Sequence, residues 1–130
     1  MIEIVENIEE IVKKIIPEGI MGFYRTYIPK KIESYLIEIQ NCNYSFSSFE
    51  KISEIPNIKV YFFSADVNCD LHSDKRDFYI KSEEIVKKLF QNPTLDETVT
   101  QFSIDVKYSS IRRDKDYKVC EILIKIEEII

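Results

Sequence analysis

Two glycines, Gly19 and Gly22, and no tryptophan occur in the 130 residues. Two glycines cannot write a glycine-rich phosphate loop, whose tight turns and close backbone approach need more of them, so nucleotide folds built on such a loop are excluded. His72 is the only histidine, and any Ser–His or Cys–His catalysis has to run through it. No G-x-S-x-G elbow or cysteine-nucleophile signature surrounds a candidate serine or cysteine. The cysteines, Cys42, Cys69 and Cys120, are odd in number and unrelated in spacing, which fits a reducing cytoplasm better than a disulfide framework. Basic clusters are also missing. With 18 Lys and Arg against 23 Asp and Glu the net charge is −5, so broad phosphate-backbone binding is disfavoured and sequence-specific nucleic-acid binding is not expected. No apolar run approaches the ~20 residues that cross a bilayer, so no membrane partner is expected. The opening MIEIVENIEE lacks the basic-then-apolar layout of a secretory signal.

What the chain does have is an ordinary globular composition, 45% apolar and 32% charged, with eight Tyr and eight Phe in place of tryptophan. At this length it reads as one domain, residues 1–130, able to bury roughly two-thirds of its unfolded surface. Ile58–Val67, IKVYFFSADV, is apolar at consecutive positions and rich in β-branched and aromatic residues, the pattern of a central strand buried on both faces.

Around that strand the sequence predicts a helix over 3–16, with Ile4, Val5, Ile8, Ile11, Val12 and Ile15 at helical spacing and Pro17 and Gly19 as the stop. Glu9 and Glu10 precede Lys13 and Lys14 by four residues, as solvated ion pairs do. Phe23, Tyr24 and Tyr27 suggest a short extended piece before Pro29. Tyr35–Gln40 alternates as a strand. A long connection over 41–57 follows, within which Ser47-Ser48-Phe49-Glu50 has the order of a capping box and predicts a helical turn or two. A second helix is expected at about 75–91, closed by Asn92 and Pro93. A hairpin then runs through Phe102, Ile104, Val106 and Tyr108, a charged tip at Arg112–Asp116, and a return strand Tyr117–Ile126. The expected fold class is α+β: helix-strand-strand-helix-strand-strand, an antiparallel sheet of at least four strands with both helices on one face. The hexapeptide EEIVKK occurs at 9–14 and again at 83–88; in a chain this rich in Ile, Lys and Glu the repeat reads as compositional.

Few constellations carry chemistry. Asp66-x-Asn68-x-Asp70 with Asp77 at the twelfth place partly matches a calcium loop, but Leu71 stands where that loop needs glycine and Asp77 replaces the bidentate glutamate. It reads as a polar strand-to-helix connection that caps the second helix. Cys69-x-x-His72 supplies one couplet where a structural zinc site pairs two, and Cys120 falls in strand register as a small apolar residue. Neither metal, cofactor nor catalytic residue is expected, and the paired acids at 83/84 and 127/128 read as solvated faces. The hairpin tip, Arg112, Arg113, Asp114, Lys115 and Asp116 with Tyr117 behind it, is the candidate protein-contact site. It is too small and self-neutralised for nucleic acid.

The opening helix closing in Ile16-Pro17, the strand IKVYFFSADV feeding the helix EEIVKKLF, and the closing hairpin QFSIDVKY…YKVCEILIKI together resemble the layout of tail terminator (tail completion) proteins of tailed phages and phage-tail-like bacteriocins. Small neck proteins of the head–tail connector share similar layouts. The resemblance implies a structural protein assembled in the bacterial cytoplasm into the virion or bacteriocin particle. Its partners are then copies of itself in a ring, usually of six, together with tail tube, neck and, in contractile tails, sheath proteins. A different class, an acidic monomeric immunity-like or antitoxin-like module that masks a basic partner, is compatible with the net charge. A small enzyme using Cys69 or His72 ranks last.

Overall fold

The computed structural model describes residues 2–21, 33–46, 52–65, 71–112 and 116–129. Its elements are α1 (Ile2–Lys13), β1 (Gly19–Met21), β2 (Glu33–Phe46), β3 (Ile52–Ala65), α2 (Leu71–Phe90), β4 (Val99–Arg112) and β5 (Asp116–Ile129). The five strands form one mixed sheet in the order β1-β2-β3-β5-β4. The fold class is thus α+β with two helices, but the sheet is not wholly antiparallel. The pairs β2–β3, β3–β5 and β4–β5 are antiparallel, while β1 runs parallel to β2. A three-residue strand shows no alternation, which is why GIM left no period to read. Its place is marked instead by Gly19: a Cβ there would lie 2.4 Å from the Tyr35 ring and carbonyl oxygen, so only glycine allows β1 to approach β2 this closely. The extended piece expected at Phe23, Tyr24 and Tyr27 lies outside the described residues.

β3 is interior, paired with β2 on one edge and β5 on the other. Its alternation divides the core. Ile58, Val60 and Phe62 face both helices in one cluster with Ile4, Val5, Ile8 and Val12 of α1 and Phe78, Ile85 and Leu89 of α2. Tyr61, Phe63 and Ala65 face the other way, in a second buried cluster with Leu36, Tyr117 and Val119. That double burial explains why IKVYFFSA has no polar alternation.

The largest departure from expectation is at 41–57. Instead of a long connection, β2 and β3 extend through it as an antiparallel ribbon, from Asn41↔Asn57 out to Phe46↔Ile52. Gln40 is skipped in the pairing, where a register shift separates Ile39 from Asn41. Pro56 lies in β3 opposite Cys42, yet pairing between β3 and β5 stops at Asn57↔Lys125. Proline, which cannot donate, is tolerated here because, among the described residues, no strand pairs with the other edge of this part of β3. The bulge, the proline and the polar run around them hid the strand. The capping-box residues Ser47–Glu50 lie outside the described residues.

The EEIVKK repeat does not fold as two equivalent units. In α1 Val12 is buried and Ile11 half-buried, whereas in α2 Ile85 is buried and Val86 half-buried. One residue of offset rolls a helix by about 100°, so the same six residues present different faces. Three strands follow α1 and two follow α2. Glu9, expected to pair with Lys13, accepts a hydrogen bond from the Tyr35 hydroxyl at 3.1 Å, tying α1 to β2. Lys81 of α2 meets Glu33 of β2 at 2.5 Å.

Candidate functional site

The β4 edge is where the fold leaves most unpaired. Among the described residues β4 pairs only with β5, so from Gln101 onward no described strand pairs with its other side. Its helix-side row is Phe102, Ile104, Val106 and Tyr108, opposite Ile126, Ile124, Ile122 and Cys120 of β5. α2 reaches both ends of that row, at Phe102 and at Tyr108, without burying its outer half. Phe90 stacks on Phe102 with centroids 5.7 Å apart and planes 7° from parallel, whereas Val106 and Tyr108 remain 40% and 43% exposed. Tyr79 of α2, also exposed, meets Tyr108 edge to face at 4.9 Å, and both meet Phe78. An apolar strip therefore runs along the outer edge, rooted in the core through Phe78. On the opposite face β4 is polar: Asp105 pairs with Lys125 at 2.7 Å, and Lys107 lies opposite Glu121.

Beneath the strip, Cys120 is fully buried on β5. Burial raises its thiol to about 11, against a smaller lowering by a hydrogen bond with Ser82. A thiol so placed stays protonated at neutral pH and is a poor nucleophile. Burial likewise raises the Tyr108 hydroxyl, with Cys120 the next contributor. Ser82, itself buried, donates to the Phe78 carbonyl at 2.8 Å, which satisfies its hydroxyl within the helix.

The tip chosen from sequence lies at the far end of this edge. Arg112 and Asp116 face each other across it at 3.9 Å, with side chains 85% and 68% exposed. Tyr117 is different: at 3% exposure it belongs to the second core cluster and anchors the tip instead of offering a contact. Its alternation places it on the inner side of β5, with Val119. Arg113, Asp114 and Lys115 lie outside the described residues.

The metal-like patterns fall largely outside the described residues. Asp66, Asn68, Cys69 and Asp70 lie outside the described residues, and His72 falls in the first turn of α2. Cys42 is opposite Pro56 and Cys120 opposite Phe62, six residues apart along β3, or roughly 20 Å at the rise of a strand. They cannot share one ion. Among the described residues no group of three His, Cys, Asp or Glu side chains converges. The groove between the two EEIVKK copies, about 410 Å³, has Ile11 and Ile15 on its apolar side and Lys14, Glu84, Lys88, Gln91 and Asn92 as its polar rim.

Sequence reasoning proposed the tip and passed over the strip. Its signal was available: Ile104, Val106 and Tyr108 continue the apolar row on the outer strand of the hairpin, where one twenty-residue helix must also cover β3 and β5. No family model and no curated protein sequence matches the chain.

Proposed function

We propose that this chain is a structural subunit of a phage or bacteriocin tail, one copy in a closed ring that ends the tail tube at its head-proximal end. The observation that carries the reading is the β4 edge with its half-exposed apolar strip and charged tip, which α2 touches at Phe102 and Tyr108 without burying. Such an edge is a liability in a monomer and a contact surface in an assembly. The element order also supports it: an opening amphipathic helix, a two-sided central strand, a second helix and a closing antiparallel hairpin. The four antiparallel strands β2, β3, β5 and β4 carry the layout of the resemblance, with β1 added. A ring closes through heterologous contacts between different faces of neighbouring copies, and the Arg112–Asp116 tip lies where a neighbour can reach it. Tube, sheath and neck proteins are the remaining partners, and a neck protein of the connector is the close variant of the same reading.

Removing the gene tests it. Tails of uncontrolled length, or tails without heads, are expected; uniform and functional tails contradict it.

An acidic monomeric module is the second reading, favoured by the wet face of α1, where Glu3, Glu6 and Glu10 are exposed on a chain of net charge −5. A basic protein partner binding one-to-one, with tails unaffected by deletion, selects it over the ring.

A further inference from the structure

We infer that in the free protein the β4 edge is capped by the β4 edge of a second copy of this chain, antiparallel and two-fold about Val106. The inference holds whichever functional reading is right, because it uses only the edge.

The occupant follows from register. In a two-fold antiparallel pair, residues opposite one another sum to a constant, and both copies keep their helices on one side only if rows match like with like. A slip of one residue sets the apolar row against the polar one. Centred on Val106, the pairing sets Val106 against the partner copy's Val106 and Ile104 against its Tyr108 on the helix side. On the opposite side Asp105 meets Lys107 of the other copy, twice by symmetry. Moving the centre to 105 or 107 puts Asp105 against Asp105 or Lys107 against Lys107, and directly opposed like charges are destabilising. Among centres that keep the rows matched, 106 alone sets opposite charges against one another within β4, and this favours it over the others. Asp105, Val106, Lys107 and Tyr108 are all exposed, so the contact needs no rearrangement of the core.

The geometry also accounts for the incomplete cover of β4. With both helix faces on one side, the two α2 helices flank the seam, and the exposed Tyr79–Tyr108 pair of each copy is brought to it. The free donors and acceptors of both edges are satisfied by each other, which is how an edge strand escapes open-ended aggregation. A two-fold contact is not a ring contact, since rings need heterologous faces; on a tail, the ring contact replaces it.

Sedimentation of the purified chain across a concentration series tests this, with Asp105→Lys, Lys107→Asp, their mixture and the double variant. The wild type is expected to reach a dimer. Each single reversal sets like charges opposite each other twice and is expected to weaken the dimer about tenfold or more. Each also loses a partner within its own chain, Lys125 or Glu121, so a small fall in melting temperature is expected and the fold of each variant is checked by circular dichroism. Mixing the two single variants restores opposite charges at both contacts and is expected to restore a dimer containing one copy of each. The double variant in one chain restores it as well. A wild type that stays monomeric, a dimer insensitive to either reversal, or a mixture that fails to recover overturns the inference. None of these results depends on what happens at a tail.

Discussion

Asn7 of α1 donates its side-chain amide to the carbonyl of Leu95, 88 residues later, at 2.9 Å. That bond holds the turn between α2 and β4, where Leu95, Asp96 and Glu97 take φ of 45°, 57° and 65°. Three successive non-glycine residues in the left-handed region are costly and persist here because the turn is clamped. Asn92 accepts from the Asp96 amide at 3.1 Å, Thr98 donates to Leu95 at 2.7 Å, and Leu95 is fully buried. The turn sets where β4 begins, and so where the exposed edge lies.

Asn7→Ala is therefore expected to cost about 1 kcal/mol, the net worth of one hydrogen bond, since the Leu95 carbonyl still accepts from Thr98. Glu97→Gly, at a position whose side chain is exposed, is expected to stabilise by roughly 0.5 kcal/mol by relieving the left-handed strain. Chemical denaturation of the two variants checks both signs.

Phe62 lies at the centre of the helix-side core, opposite Tyr35 and Cys120 and 5.2 Å from the Phe78 ring. Phe62→Ala is expected to cost about 3–5 kcal/mol, a large part of the stability of a domain this size. A loss below 1 kcal/mol in a denaturant melt contradicts the assignment of β3 as the buried central strand.

The Cys120 thiol gives a pH dependence of definite sign. Its ordinary value of 9 is raised to about 11 by burial, so the folded state holds its proton where the unfolded chain releases it. The stability is complete below pH 9 and is lost as pH rises towards 11, on the order of 2 kcal/mol in all. Tyr108, also raised, acts in the same direction. Thermal melts from pH 7 to 11 are expected to fall above pH 9, and Cys120→Val is expected to flatten part of that fall. An identical fall in the variant contradicts the assignment.

At the hairpin tip, Arg112 and Asp116 are too exposed to matter to the fold, as surface pairs contribute at most ~1 kcal/mol. Reversing Arg112 and Arg113 to Glu is expected to leave melting unchanged while impairing ring closure or docking to the neck, because repeated charge contacts set orientation and reject wrong partners. Normal tails from the double variant remove the tip from the contact.

Much of the fold was legible in local pattern. The two-sided strand at 58–65, both helices and the closing hairpin all announce themselves by period. What escaped has identifiable physical causes. β1 is three residues long, and its only trace is Gly19, read as a helix stop when it is also a point of close strand approach. The β2–β3 ribbon was hidden by Pro56 and by the bulge at Gln40, which break the pattern without breaking the pairing. Tyr117 looked like part of the tip because neighbouring residues are charged, yet strand alternation turns it inward. The β4 strip was missed because alternation reveals which row is apolar, not whether a helix is there to cover it.

The position of this protein on the particle tests the central claim most directly. Gold-labelled antibody against the chain, imaged by electron microscopy on isolated tails, is expected to mark one point, the head-proximal end of the tube, on every intact particle. Label along the tail, at the distal end, or absent from particles altogether contradicts the account.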